Sequence, residues 1–211
     1  MAVSLTSTLD AINSILIGVG EAPVNTLNSG LQEAEIAAIT LTSVSREVQS
    51  AGWTFNTDLK TTLTRNSENH ILVPLNTLRV DTLGIKRRYD TDVILRSGKL
   101  YDRTKNTFVF TANIEVDIVL LLEFEELPEI ARRYITLRAG RKFQENTIGS
   151  SEMSQLQFKD EQMAFFAFRE SEGEAADFNI FDNYDTFRAL DRGTRTDFTQ
   201  SLLQSQRILY S

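Results

Sequence analysis

Glu47-Val48-Gln49-Ser50-Ala51-Gly52-Trp53-Thr54-Phe55-Asn56 is where the sequence changes its period. Before Gly52, apolar residues recur every three or four positions, as one face of a helix requires. After it, from Leu59 onward, they alternate, as in strands. Gly52 suits the left-handed residue that ends a helix. Trp53 and Phe55 read as a hydrophobic plug beneath a helix–sheet junction, where their rings would fix the angle between the two parts.

Working back from this point, a helix is predicted from Gln32 to Ser50, with Ala34, Ala37, Leu41, Val44, Val48 and Ala51 on one face. Many of these are small, so a neighbouring helix can come close. An earlier helix is predicted from Thr8 to Val19, with Leu9, Ile12, Ile15, Leu16 and Val19 as its stripe and Ser7 or Thr8 as its cap. Gly20 stops it, and Pro23 cannot continue it.

Working forward, short alternating pieces run at 59–65, 71–73, 77–81, 85–87, 92–96, 99–102, 108–111 and 114–124. Ser97-Gly98 reads as a tight hairpin turn. The expectation is an antiparallel module of six or seven strands over 58–124. Helical spacing returns at Pro128, expected at the first helical position. Ile130, Tyr134, Leu137 and Phe143 mark the buried side of a third helix. Ser151 is expected to cap a fourth, whose apolar side is read as Met153, Leu156, Met163 and Ala167, with Phe165, Phe166 and Phe168 nearby, and which fades over Glu170–Gly173.

The fold class is therefore α+β: a four-helix bundle with an antiparallel β module inserted between helices 2 and 3, plus an extended C-terminal arm. The domain reading is a bundle from 1–57 and 125–176, a β module at 58–124, and an arm at 177–211. The arm is too aromatic for a typical disordered tail. Phe178, Phe181, Tyr184 and Phe187 read as partner-binding residues that need another surface to bury their rings.

Composition narrows the function. The 211 residues contain no cysteine and one histidine, His70, so thiolate sites, disulfides and histidine-dependent triads drop out. Net charge is −7, with the excess of acid at the amino end, unlike a conventional DNA binder. No signal peptide is expected, and Ile118–Leu122 is too short an apolar run to cross a bilayer. No cofactor or metal site is expected. Glu123, Glu125 and Glu126 cluster at a strand end, but adjacent glutamates there commonly favour the next helix's positive terminus over catalysis. Asp177, Asp182 and Asp185 lack calcium-loop spacing. Lys86-Arg87-Arg88 and Arg132-Arg133 are expected in surface ion pairs rather than on phosphates.

Asn13-Ser14-Ile15-Leu16-Ile17-Gly18-Val19-Gly20-Glu21-Ala22-Pro23-Val24-Asn25-Thr26-Leu27 resembles the amino-terminal signature of the tail tubular protein A family of short-tailed bacteriophages. The stretch from Glu47 to Asn56 resembles that family too, as do Gly98–Thr104, Glu126-Leu127-Pro128-Glu129 and Arg141-Lys142-Phe143. The resemblance covers about residues 9–172, and the tail after 177 departs from it. It implies a non-enzymatic subunit of a dodecameric adaptor ring in the virion tail, assembled in the host cytoplasm. That ring would join the portal protein to the tail nozzle protein, with tail fibres as a further neighbour. DNA would pass through without sequence-specific binding, and no membrane insertion is implied. Gly20, Pro23, Gly52, Trp53, Phe55, Asn56 and Pro128 are read as structural joints, with no catalytic residues to carry over. The competing readings are a tail-associated polysaccharide hydrolase and a DNA-binding structural protein.

Overall fold

A computed structural model describes residues 4–82 and 91–175. Lys86-Arg87-Arg88, the piece at 85–87 and the whole of 177–211 lie outside the described residues. The chain divides into two compact units, Met1–Glu172 and Gly173–Ser211.

The described elements are helices α1 (Thr8–Ile17) and α2 (Gln32–Gln49), strands β1 (Thr57–Leu63), β2 (Thr77–Asp81), β3 (Val93–Arg96), β4 (Lys99–Asp102) and β5 (Ile114–Leu120), then α3 (Glu129–Thr147) and α4 (Ser151–Ala175). This is the expected α+β class, with antiparallel strands and four helices. The strands number five among the described residues. Residues 71–73 contribute only isolated bridges, to Arg65 and to Lys99 of β4, and 108–111 form no strand, with Phe110 N–H donating to Asn69 O. The last strand stops at Leu120, short of Phe124, where a single 3-10 turn intervenes.

Helix ends follow the side chains available. Ser7 caps α1 and shares a reciprocal box with Asp10. Gly18 closes α1, two residues before Gly20, whose φ of +85° turns the chain away. Pro128 occupies the N-cap and not the first helical position, with helix α3 beginning at Glu129. Ser150, not Ser151, precedes α4, and its backbone carbonyl accepts from Ser154 N–H. The helix also outlasts Gly173, ending at Ala175.

Two hydrophobic clusters form. One joins α1, α2, α3 and part of α4, with Phe143, Phe168, Ile12, Leu16, Leu41 and Val44 at its centre. The other lies under the strands, around Ile71, Leu100, Val116 and Ile118. Helices α1, α2 and α3 pack backbone to backbone, whereas α4 stands further out and meets them through long side chains. Ala51, expected on the buried face, is exposed because the helix has already ended.

The strands make two sheets, a three-stranded one ordered β1-β5-β2 and the hairpin β3-β4. Ser97 and Gly98 both have positive φ, which gives the hairpin a turn that matches strand twist. Strand β1 is an edge of its sheet. Its register breaks between Asp58 and Thr61, where Lys60 has φ +54° and donates its backbone N–H to the Asp117 carboxylate.

Gly52 has φ +78°, and a Cβ there would lie 2.7 Å from the Arg79 guanidinium and 3.1 Å from Val119. Gly52→Ala should therefore destabilise the fold by about 2 kcal/mol, from left-handed strain and crowding together. A urea midpoint unchanged from wild type would contradict this.

Candidate functional site

The best-built polar site is the junction that α2 makes with the sheet. Asn56 is almost wholly buried there, while its neighbours Trp53 and Phe55 are only partly so. Its side-chain amide donates to the carbonyls of Gln49 (2.9 Å) and Leu120 (2.8 Å), and its Oδ1 accepts from Trp53 N–H (2.8 Å). Gln49, fully buried, pairs with Leu122 like an added strand residue: its Oε1 accepts from Leu122 N–H at 2.8 Å, and its Nε2 donates to Leu122 O at 3.1 Å. The indole of Trp53 donates to Val48 O at the end of α2. Its ring packs 4.4 Å, centroid to centroid, from Phe168 of α4, and Phe55 reaches the same ring at 6.2 Å. Thr54 is held by the Glu172 carboxylate through both backbone N–H (2.7 Å) and hydroxyl (2.6 Å). A buried carbonyl left unpaired would cost about 1–3 kcal/mol, so these amides fix one geometry.

The other residues read as joints do similar work in part. Gly20 and the exposed Pro23 lie in the connector after α1. Asn13 pins that connector, accepting from Val24 N–H at 2.7 Å and donating to Val24 O at 2.9 Å. Pro128 opens α3, beside a clamp centred on Arg132. Arg132 was expected in a surface ion pair; it is instead buried and donates to the carbonyls of Leu127, Thr6 and Glu125. Three acceptors left by the preceding turn and by the chain ahead of α1 explain the difference.

The carboxylates near this clamp are structural. Glu125 accepts from Thr8 and Glu129 from Thr6. Glu126 caps the backbone N–H of Glu123. The bond from the Thr8 hydroxyl lowers the pKa of Glu125, and that from the Thr6 hydroxyl lowers Glu129. Both stay ionised, with their oxygens engaged, which is unsuited to general acid catalysis.

A second polar cluster ties α2, α3 and α4 together. Arg138 reaches Glu47 at 2.7 Å and the buried Glu161 at 2.9 Å. Arg141 also meets Glu161, and Lys142 meets Glu47 at 2.6 Å. Lys142, then Arg138, holds the Glu47 pKa low.

Helix α4 therefore turns over from its expected orientation. Its buried side carries Glu161, Ala164 and Phe168, while Met153, Leu156, Met163 and Ala167 face solvent. The arginine pair makes Glu161 the better core residue, and Phe168 completes the ring cluster with Trp53 and Tyr134. Among the described residues no group of histidine, aspartate and glutamate could hold a metal ion, and no helix is long and apolar enough to cross a membrane. Phe178, Phe181, Tyr184 and Phe187 lie outside the described residues.

A family model described as tail tubular protein matches residues 9–178. The chain belongs to the tail tubular protein family. It is also 34% identical over 127 residues to tail tubular protein A of Klebsiella phage KP34, a match covering 60% of this chain and 66% of that protein. The chain thus spans slightly under two thirds of that relative. As a tail tubular protein it is a structural component of the phage virion tail and not an enzyme. The joint, the connector pinned by Asn13 and Arg132 itself fall inside the matched region.

Sequence reasoning placed Trp53, Phe55 and Asn56 at the junction but did not single out Gln49, Asn13, Glu47, Glu161 or Glu172. Gln49 and Asn13 sit inside the quoted family stretches, a signal available in the sequence. Glu161 carries none, since its partners lie 20 and 23 residues away on another helix.

Asn56→Ala removes three bonds at once, taking a donor from the Leu120 carbonyl and an acceptor from Trp53 N–H and leaving Gln49 O with its bond from Gly52 N–H. It should cost about 3–5 kcal/mol in chemical denaturation; a loss under about 1 kcal/mol would show that the joint is not held this way. The depressed glutamates set a pH dependence. A folded pKa below the ordinary value of about 4.3 adds stability that is complete above that value and fades as pH falls through the lowered folded pKa. Urea midpoints should fall as acid is added below about pH 4.3, and Thr6→Val with Thr8→Val should flatten that fall.

Proposed function

We propose that the protein is a subunit of the head-to-tail adaptor ring of a short-tailed phage, joining the portal to the tail nozzle and forming part of the DNA ejection channel. Beyond family membership, the buried joint at Gln49 and Asn56 carries this reading. It locks a helical layer to a strand layer, each with its own hydrophobic cluster, as a spacer between two unlike partners requires. The bundle makes the ring contacts through heterologous interfaces, with a dodecamer as the expected closure. The β module faces the nozzle. Residues 177–211 reach the portal and bury Phe178, Phe181, Tyr184 and Phe187 on docking.

Electrostatics supports passage of DNA without grip. The net charge is −7. Arg138, Arg141 and Lys142 are occupied by glutamates, so they offer phosphates little free charge. No observation favours a hydrolase, since Glu125 is engaged by Thr8 and Glu126 by the Glu123 backbone.

Electron microscopy of the purified protein mixed with portal is the test. A closed ring stacked on the portal is expected. A persistent monomer without portal affinity would overturn the reading. In the same preparation, deletion of 177–211 should weaken attachment and leave the remaining chain folded; undiminished attachment would remove the arm from the portal contact.

A further inference from the structure

Helix α4 carries two stripes at alternating spacings of three and four residues, the pattern by which one helix seats against another. One stripe, with Gln157, Glu161, Ala164 and Phe168, faces its own α3. The other runs Glu152, Leu156, Lys159, Met163, Phe166, Glu170 and faces solvent. Leu156 is 64% exposed, Met163 71% and Phe166 63%.

Helix α2 has the same arrangement. Its solvent face runs Gln32, Ile36, Ile39, Ser43, Arg46, Ser50, with Ile36 39% and Ile39 69% exposed. Glu35 flanks Ile36 and Ile39. Among the described residues, neither Glu35, Arg46, Lys159 nor Glu170 forms an ion pair.

Helix α3 contacts both: Glu47 of α2 and Glu161 of α4 meet the same Arg138 guanidinium. The two free stripes lie on different helices and both face solvent. Both helices also run against α3. Glu47 meets Arg138 and Lys142, while the following Trp53 lies with Phe168 and Tyr134. Along α4, Ser154 meets Glu145, Glu161 meets Arg138, and Phe168 meets Tyr134. Thus α2 and α4 are parallel to each other within one subunit.

We propose that the outward stripe of α4 docks on the outward stripe of α2 in a second copy of this chain. The inference rests on the ring reading above. Two different patches that pair with each other generate a head-to-tail interface, which builds rings and not closed dimers. A ring of many subunits turns each neighbour by a small angle, so helices parallel within a subunit stay nearly parallel across the contact. Parallel alignment sets Ile36 against Leu156 and Ser43 against Met163, with Ile39 packed among Leu156, Lys159 and Met163. It also sets Arg46 beside Phe166 and Glu170, and Glu35 beside Lys159. Both charge contacts are opposite in sign, and Arg46 gains an aromatic face.

Cysteine pairing tests this cleanly because the natural chain has none. Phage particles carrying Ser43→Cys with Met163→Cys are assembled under reducing conditions and then oxidised. A ladder of this chain beyond the dimer is expected, and each single variant should give none. A dimer from Met163→Cys alone would place α4 on α4 and overturn the proposal. No disulfide ladder, in particles whose wild type gives a ladder with an amine-reactive crosslinker, would overturn the stripe pairing and leave the ring standing. No ladder by either chemistry would remove the ring itself. If the cysteine pair blocks assembly, charge exchange decides. Arg46→Glu should lower particle yield about 10-fold, and adding Glu170→Arg should restore it; no restoration would overturn the pairing.

Discussion

The junction between α2 and β5 depends on two side-chain amides. A helix that stops against a sheet leaves carbonyls facing inward, and no water reaches them. Gln49 and Asn56 supply the missing partners, one extending the strand at Leu122, the other bridging Gln49 and Leu120. Every later element inherits its position from this contact. Strand β5 leads through a single turn to Arg132 and α3, and α3 carries α4 on its arginines. The aromatic rings around Phe168 fill the space the amides define, and Glu172 secures the loop from the far helix.

The same logic explains why α4 is attached so differently from α1. Helix α1 is sealed by Ile12, Ile15 and Leu16 against close backbones. Helix α4 is held by Glu161, a charge that is tolerable in a core only because two arginines face it. The arrangement leaves Leu156, Met163 and Phe166 outside the subunit's core, while Ala164 and Phe168 stay within it.

Legibility in the sequence tracked the range of the interaction. Helices α1 and α2, the Ser97-Gly98 hairpin and the glycine stop at Gly52 depend on neighbours a few positions away, and periodicity and turn chemistry located them. The apolar pieces at 71–73 and 108–111 look like strands, yet the first finds only isolated bridges and the second forms none. The face of α4 was misassigned because hydrophobicity was taken to mark the core, and the deciding contacts come from Arg138 and Arg141 on another helix. Arg132 was misplaced for a related reason: a carbonyl acceptor has no residue type to announce it. At the junction, the aromatic residues were legible, while the amide that does the binding at Gln49 reads as an ordinary polar helix residue.

Strand β1, finally, bears on how copies of this chain keep apart before they are used. An uncovered strand edge offers hydrogen bonds to any similar edge it meets, and proteins made in quantity risk stacking through such borders. The kink at Lys60 turns that residue's N–H inward to Asp117 of β5 and interrupts the regular register of the border. An irregular border is a poorer template for a second strand, which disfavours edge-to-edge stacking of copies on that side.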